Sequence, residues 1–154
     1  MSLLERLGLR KPKKTDDPTQ GSSNTDGVIF SCSYNMGGGM EGGRESYDLC
    51  KYESGRKKLT YSRQRYNGDK VVSGEMEPSE ELIDKILYIY EMAGVKDYGE
   101  LEKSDLIALD APSESIWFLV NGKETSISDS DVIPERGKGI ISSIQEAFYY
   151  YVFK

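Results

Sequence analysis

No histidine occurs among the 154 residues, and there are only two cysteines, Cys32 and Cys50. Chemistry near neutral pH must then come from carboxylates, tyrosines, serines or lysines. Ser-His-Asp and Cys-His nucleophiles are excluded in their usual forms, as is the common proton shuttle. Two thiols without imidazole cannot complete a structural zinc site, and these two are not spaced as a C-x-x-C redox pair. The residue types therefore predict no catalytic group, no metal centre and no cofactor. So few cysteines in a chain this long fit a reducing compartment rather than a disulfide scaffold.

The densest unusual spacing is glycine-rich: Asn35-Met36-Gly37-Gly38-Gly39-Met40-Glu41-Gly42-Gly43-Arg44. Glycines let a backbone turn its N–H groups toward an anion. A P-loop or a dinucleotide fingerprint, however, needs a helix immediately after the glycines, and a strand pattern follows here. The plainer expectation is a hairpin loop that holds a ligand or peptide, with Tyr34, Met36, Gly37, Gly38, Gly39, Met40 and Arg44 as its binding residues. A second candidate is the carboxylate series Asp105, Asp110, Glu114, Asp129 and Asp131. An acid–base pair needs two carboxyls in unlike environments facing one substrate, which spacing alone does not establish. Asp129-Ser130-Asp131 lacks the glycine and terminal glutamate of an EF-hand loop.

Charge is segregated on an acidic chain of net charge −6. Residues 51–70 hold seven cations against two carboxylates, and residues 1–14 hold five against one. The rest of the chain is strongly acidic. Arg63, Arg65 and Tyr66 are the candidate contacts of the basic stretch, where Tyr61 and Tyr66 interleave the cations like a stacking platform for single strands. Phosphate affinity is mostly electrostatic, so an acidic chain makes nucleic acid an unfavoured partner. Lysine and arginine also guard sheet edges against association. Near the N-terminus, Leu3, Leu4 and Leu7 share a helical face, but Gly8 and Pro12 limit that helix to about two turns. At the other end Phe148, Tyr149, Tyr150, Tyr151 and Phe153 exceed what one helix face buries, which leaves a surface for self-association.

These groups must be positioned by elements that the hydrophobic pattern outlines. Residues 1–26 read as a flexible extension and linker, and 27–154 as a single domain. Val28, Phe30, Cys32 and Tyr34 alternate with Ile29, Ser31 and Ser33 as in a strand. Further strands are expected near 45–53, 58–66 and 70–76, the last two joined at Asn67-Gly68 by a two-residue turn. A first hairpin symmetric about Met40–Glu41 is expected to set Cys32 opposite Cys50. Residues 78–93 carry the clearest helix: Pro78, Ser79, Glu80 and Glu81 start it, Leu82, Ile83, Ile86 and Tyr90 form its stripe, and Gly94 caps it. Leu106, Ile107 and Leu109 suggest a short strand or turn. Residues 115–120 and 123–128 flank Asn121-Gly122 as a second hairpin, and a last helix spans 140–151. The fold class is α+β: an antiparallel sheet, a four-stranded meander plus a second hairpin, packed by two helices on one face.

The stretch Ser33-Tyr34-Asn35-Met36-Gly37-Gly38-Gly39-Met40 resembles a hairpin shared by a group of small bacterial α+β proteins with no known activity. The resemblance spans about residues 27–152. It implies a bacterial, cytoplasmic protein and brings no site residues. No stretch reaches the ~18 apolar residues a bilayer span needs, and Met1–Leu9 lacks a signal peptide's apolar run. The expected function is a non-catalytic module that binds another protein or a small ligand. The alternatives are a small hydrolase-like enzyme using carboxylates with the glycine loop as substrate cradle, and a weak single-strand binder through residues 51–70.

Overall fold

The computed structural model describes residues 26–39, 42–104 and 112–154. The leucines and basic cluster of the N-terminus, Met40, Asp105, Asp110 and the turn expected at 106–109 lie outside the described residues. Six strands form one antiparallel sheet. They are β1 (Val28–Gly37), β2 (Arg44–Tyr52), β3 (Lys57–Gln64), β4 (Val72–Met76), β5 (Ser113–Val120) and β6 (Lys123–Ser128). Two helices, α1 (Glu80–Met92) and α2 (Ile140–Phe153), complete the α+β architecture. The strand order is β4-β3-β2-β1-β5-β6. The meander and the second hairpin thus merge, because β5 pairs with the free side of β1.

Side-chain alternation sorts the sheet into two faces. Phe30, Cys32 and Tyr34 of β1, Tyr47 and Leu49 of β2, Leu59 of β3, Ile116 and Phe118 of β5 and Ile127 of β6 share a single buried cluster. The apolar stripes of both helices join it through Leu82, Ile83, Ile86 and Tyr90 of α1 and Ile140, Ile144 and Phe148 of α2. Both helices therefore lie on one face, as the patterning requires. Phe148 stacks on Tyr47 at 5.0 Å between ring centroids, and Tyr90 meets Phe118 edge-on at 5.0 Å.

Local chemistry sets the helix ends. The Ser79 hydroxyl accepts from the Leu82 N–H, and Glu80 and Glu81 sit in the positive first turn of α1. The last turn of α1 has no cation of its own. Arg136 supplies one, donating to the Met92 carbonyl at 2.9 Å and the Glu91 carbonyl at 3.3 Å.

Two local expectations need correction. Cys32 stands opposite Leu49, while Cys50 stands opposite Ser31. A turn centred between residues 40 and 41 pairs Cys32 one position short of Cys50, and one position changes the face. The thiols are therefore on opposite sides of the sheet, both free and buried. Asn67-Gly68 does centre a turn, closed by the Asp69 N–H donating to the Tyr66 carbonyl at 3.0 Å, but the paired strands stop short of it: β3 ends at Gln64 and β4 starts at Val72. Only Gly68 of the two has a positive φ, whereas Asn121 and Gly122 both do, as a tight hairpin demands. The Asn67 side chain instead fills the space that a Cβ on Gly42 would need.

Truncation at Phe148 tests the shared core. Phe148→Ala should lower unfolding free energy by about 3–5 kcal/mol, because the ring is fully enclosed and the site cannot collapse around the stacked Tyr47. Urea titration followed by circular dichroism should show the midpoint fall with little change in slope.

Candidate binding site

The register that puts Phe30, Cys32 and Tyr34 under the helices sends Ser31, Ser33 and Asn35 to the other face. At the level of Asn35 every strand contributes a small polar residue. Asn35 pairs with Ser46 on one side and Ser115 on the other. Ser46 continues to Ser62 and Ser73, and Ser115 to Ser128. A row of five serines and one asparagine thus crosses the whole sheet, one residue per strand, at the usual strand spacing of about 4.8 Å.

Most of this row lies in an open concavity of about 730 Å³, lined by Asn35, Ser46, Ser62, Ser115 and Ser128 together with Met36, Gly37, Gly38, Arg44, Ser113, Asp129 and Ser130. Besides Asp129, the carboxylates of Glu45 and Glu114 border it. Both are register partners of Met36, one from each neighbouring strand. Each receives a phenol from the helix-covered side: Tyr47 donates to Glu45 at 2.5 Å and Tyr34 donates to Glu114 at 2.6 Å. Glu45 is buried, accepts a second bond from the Gln145 amide at 2.8 Å, and has Arg63 at 3.9 Å. Burial, and then the hydrogen bond to a carboxylate, push the Tyr34 and Tyr47 phenols far above their ordinary value of 10.0. In the loop after β5–β6, Asp129 accepts from the Glu114 N–H and Asp131 accepts from the Ser128 N–H. These bonds hold the serines of that rim in place.

The glycine loop contributes shape. A Cβ on Gly39 would lie 2.9 Å from Pro112 Cδ, and one on Gly43 would run into the Arg65 carbonyl oxygen. The described ends of the loop are therefore packed between the approach to β5 and the β3–β4 connection. Of the residues expected to bind, Met36, Gly37, Gly38 and Arg44 line the concavity. Gly39 packs at its edge on Pro112. Tyr34 is in the core and reaches the site only through Glu114.

Arg63, Arg65 and Tyr66 sit elsewhere. Arg63 faces the rings of Tyr149 and Phe153 at 5.1 and 6.0 Å, Arg65 pairs with Asp69 at 3.3 Å, and Tyr66 is exposed. Tyr61 is turned toward the helices, edge-on to Phe153 at 5.8 Å, so it forms no platform with Tyr66. The basic stretch is also split by its strand period. Lys51 and Lys57 meet Glu80 of α1 on the helical side, while Lys58 lies beside Asp48 on the other. The C-terminal aromatics divide likewise: Phe148 and Phe153 pack inward, and Tyr150 is exposed.

The serine row and Glu45 escaped the sequence reading. Their signal was present in the alternation, but it becomes a row only once the register of five strand pairs is known. Among the described residues no group of three or more His, Cys, Asp or Glu is placed to hold a metal ion, and no helix is long and apolar enough to cross a membrane. No protein-family model and no curated protein matches the chain.

The phenol shifts set an alkaline limit. Unfolded tyrosine ionises near 10, while Tyr34 and Tyr47 keep their protons in the fold. Stability should therefore be whole below pH 10 and fall as pH rises above it. Tyrosinate absorbance should show two phenols ionising only together with loss of circular dichroism, and Tyr47→Phe should flatten the stability decline. Loop packing gives a separate expectation: Gly43→Ala should cost about 1–3 kcal/mol by forcing the loop off the Arg65 carbonyl, read as a lower thermal midpoint.

Proposed function

We propose that this chain is a non-catalytic binding module whose binding surface is the serine row and its concavity, and that it takes a small, neutral, hydroxyl-rich ligand such as a saccharide. The convergence of Asn35, Ser46, Ser62, Ser115 and Ser128 from five strands into one concavity carries the reading. Hydroxyls both donate and accept, and the asparagine amide offers each separately. Such a row suits a ligand whose groups alternate in the same way. Only Ser128 among these described side chains has its hydroxyl engaged by others, Ser130 and Asp131. The remaining four keep their hydrogen-bonding capacity for an incoming group.

The hydrolase-like alternative has less support, although a concavity does lie beside three carboxylates, Glu45, Glu114 and Asp129, the last of which accepts from the Glu114 N–H. Glu45 is already bound by Tyr47 and Gln145, and Glu114 by Tyr34, so both act as acceptors that anchor the sheet's end. The single-strand alternative is weakened by the division of the 51–70 cations between two faces. Self-association through the C-terminal aromatics has less support too, since Phe148 and Phe153 are used inside the fold. The two free thiols support a place in the cytoplasm.

Amide chemical-shift mapping tests the reading. Titration with a panel of neutral mono- and oligosaccharides should move the resonances of Asn35, Ser46, Ser62 and Ser115 together. Ser46→Ala with Ser115→Ala should weaken that binding about tenfold, near the loss of one or two neutral hydrogen bonds. Silence of these resonances at millimolar saccharide would reject the proposal.

A further inference from the structure

The cations of residues 51–70 divide between the two faces, but three of them stay together. Arg63, Arg65 and Lys70 line a second concavity, of about 370 Å³. Asp69, Val72 and Phe153 complete its lining. It lies at the margin of the sheet, because β4 ends the strand order. It opens on the helical side, where Val72 is the register partner of Arg63 and Phe153 comes from α2. It shares no lining residue with the serine concavity.

Arg63 is held in place there while its hydrogen bonds stay unspent. The guanidinium lies 5.1 Å from the Tyr149 ring and 6.0 Å from that of Phe153, and Glu45 stands 3.9 Å from its Nε. The rings and the buried carboxylate fix its position. The 3.9 Å separation nevertheless exceeds the reach of an N–H···O bond, about 3.2 Å. Glu45 accepts from Tyr47 and Gln145 instead. Among the described residues the Arg63 N–H groups therefore meet no acceptor at bonding distance. The side chain keeps 33% of its surface exposed, so a ligand can reach that edge. Lys70 likewise forms no ion pair among the described residues, whereas Arg65 is turned to Asp69 at 3.3 Å. A fixed guanidinium with free N–H groups is a fork for a planar oxyanion.

We propose that this second concavity binds a small apolar or aromatic carboxylic acid. The carboxylate sits on the Arg63 fork with Lys70 beside it, and the body lies against Val72 and Phe153. Charge selects the anion. Three cations stand against Asp69 and Glu45, which leaves a single positive charge in excess. One carboxylate neutralises that excess, and a phosphate dianion overshoots it. Shape agrees, since a carboxylate is planar and matches the guanidinium edge with a pair of parallel bonds. Apolarity selects the body: Val72 is 45% exposed and Phe153 is half-buried, so both offer surface for a ring to cover. The volume stands at the small end of ligand pockets, which begin near about 300 Å³, and suits a single-ring acid. The net charge of −6 disfavours a long polyanion. A lone carboxylate responds to the field within about 10 Å, and that field is positive here.

Chemical-shift titration of the full chain with benzoate at low ionic strength tests the assignment. The Arg63 Nε–Hε resonance and the amides of Lys70, Val72 and Phe153 should move together and saturate. Those of Asn35, Ser46 and Ser115 should stay still. Acetate should bind about tenfold more weakly, because it leaves Val72 and Phe153 uncovered. Lys70→Ala removes an exposed, unpaired charge and should weaken benzoate about threefold. Arg63→Lys keeps the charge but loses the fork, and should weaken it about tenfold. If circular dichroism shows that Arg63→Lys disturbs the fold, Lys70→Ala decides alone. No saturable shift at these residues with millimolar benzoate would overturn the proposal, as would unchanged affinity in Lys70→Ala. Movement of the serine row would place the acid in the other concavity, and tighter binding of phenyl phosphate would make the ligand a phosphate ester. Either result rejects the carboxylate site.

Discussion

The register of β1 against its two neighbours is the constraint on which the remaining structure depends. β1 is bonded on both edges, so its alternation is imposed on β2 and β5 and passed outward to β3 and β6. Phe30, Cys32 and Tyr34 must face the helices because α1 and α2 bring the only large apolar stripes among the described residues. Everything on the opposite parity then follows: Ser31 and Ser33 on the far face with Trp117, Asn35 at the centre of the serine row, Asp48 across Ser33 from Trp117. A slip of one residue would exchange the faces and bury the serines against Ile86 and Phe148. The unequal apolarity of the two parities is what forbids that slip.

Much of the architecture was legible because local signals agreed with tertiary demands. Asn121-Gly122 supplies two left-handed residues where a tight hairpin needs them. Ser79, Glu80 and the Leu82–Tyr90 stripe mark a helix whose start and buried face match the structure. The alternation of β1 was equally clear. What could not be read was pairing at a distance. The Cys32–Cys50 expectation rested on a turn centre uncertain by half a residue, and half a residue at the turn is enough to move a thiol across the sheet. Asn67-Gly68 misled for a different reason. It does centre a turn, closed between Tyr66 and Asp69, but its asparagine packs against the glycine loop and strand pairing stops at Arg63 and Val72, so the turn caps a longer connection.

The glycines illustrate how composition suggests chemistry that packing then claims. Gly39 and Gly43 are small because Pro112 and the Arg65 carbonyl stand where side chains would go. They bring the β1–β2 connection close to its neighbours on both sides, which closes the end of the sheet into a concavity. The arginines were reassigned in the same way. Arg63 looked like a phosphate contact, yet it lies between Glu45 and the rings of Tyr149 and Phe153, where its charge and its flat guanidinium are both used to fix α2 to β2 and β3.

The serine row argues for itself through propensity. A solvent-facing sheet surface is ordinarily built from threonine, tyrosine and long charged residues, which pack well on a pleat. Serine and asparagine are poorer strand formers, on a scale spanning about 1 kcal/mol per site. Placing one in every strand at a single level accumulates that cost across the sheet, and strand alternation alone does not require it: Lys58 and Thr60 occupy equivalent positions nearby. A local rule broken repeatedly at one level, beside a concavity, supports the proposed binding surface, with strand propensity given up for short side chains and hydroxyls.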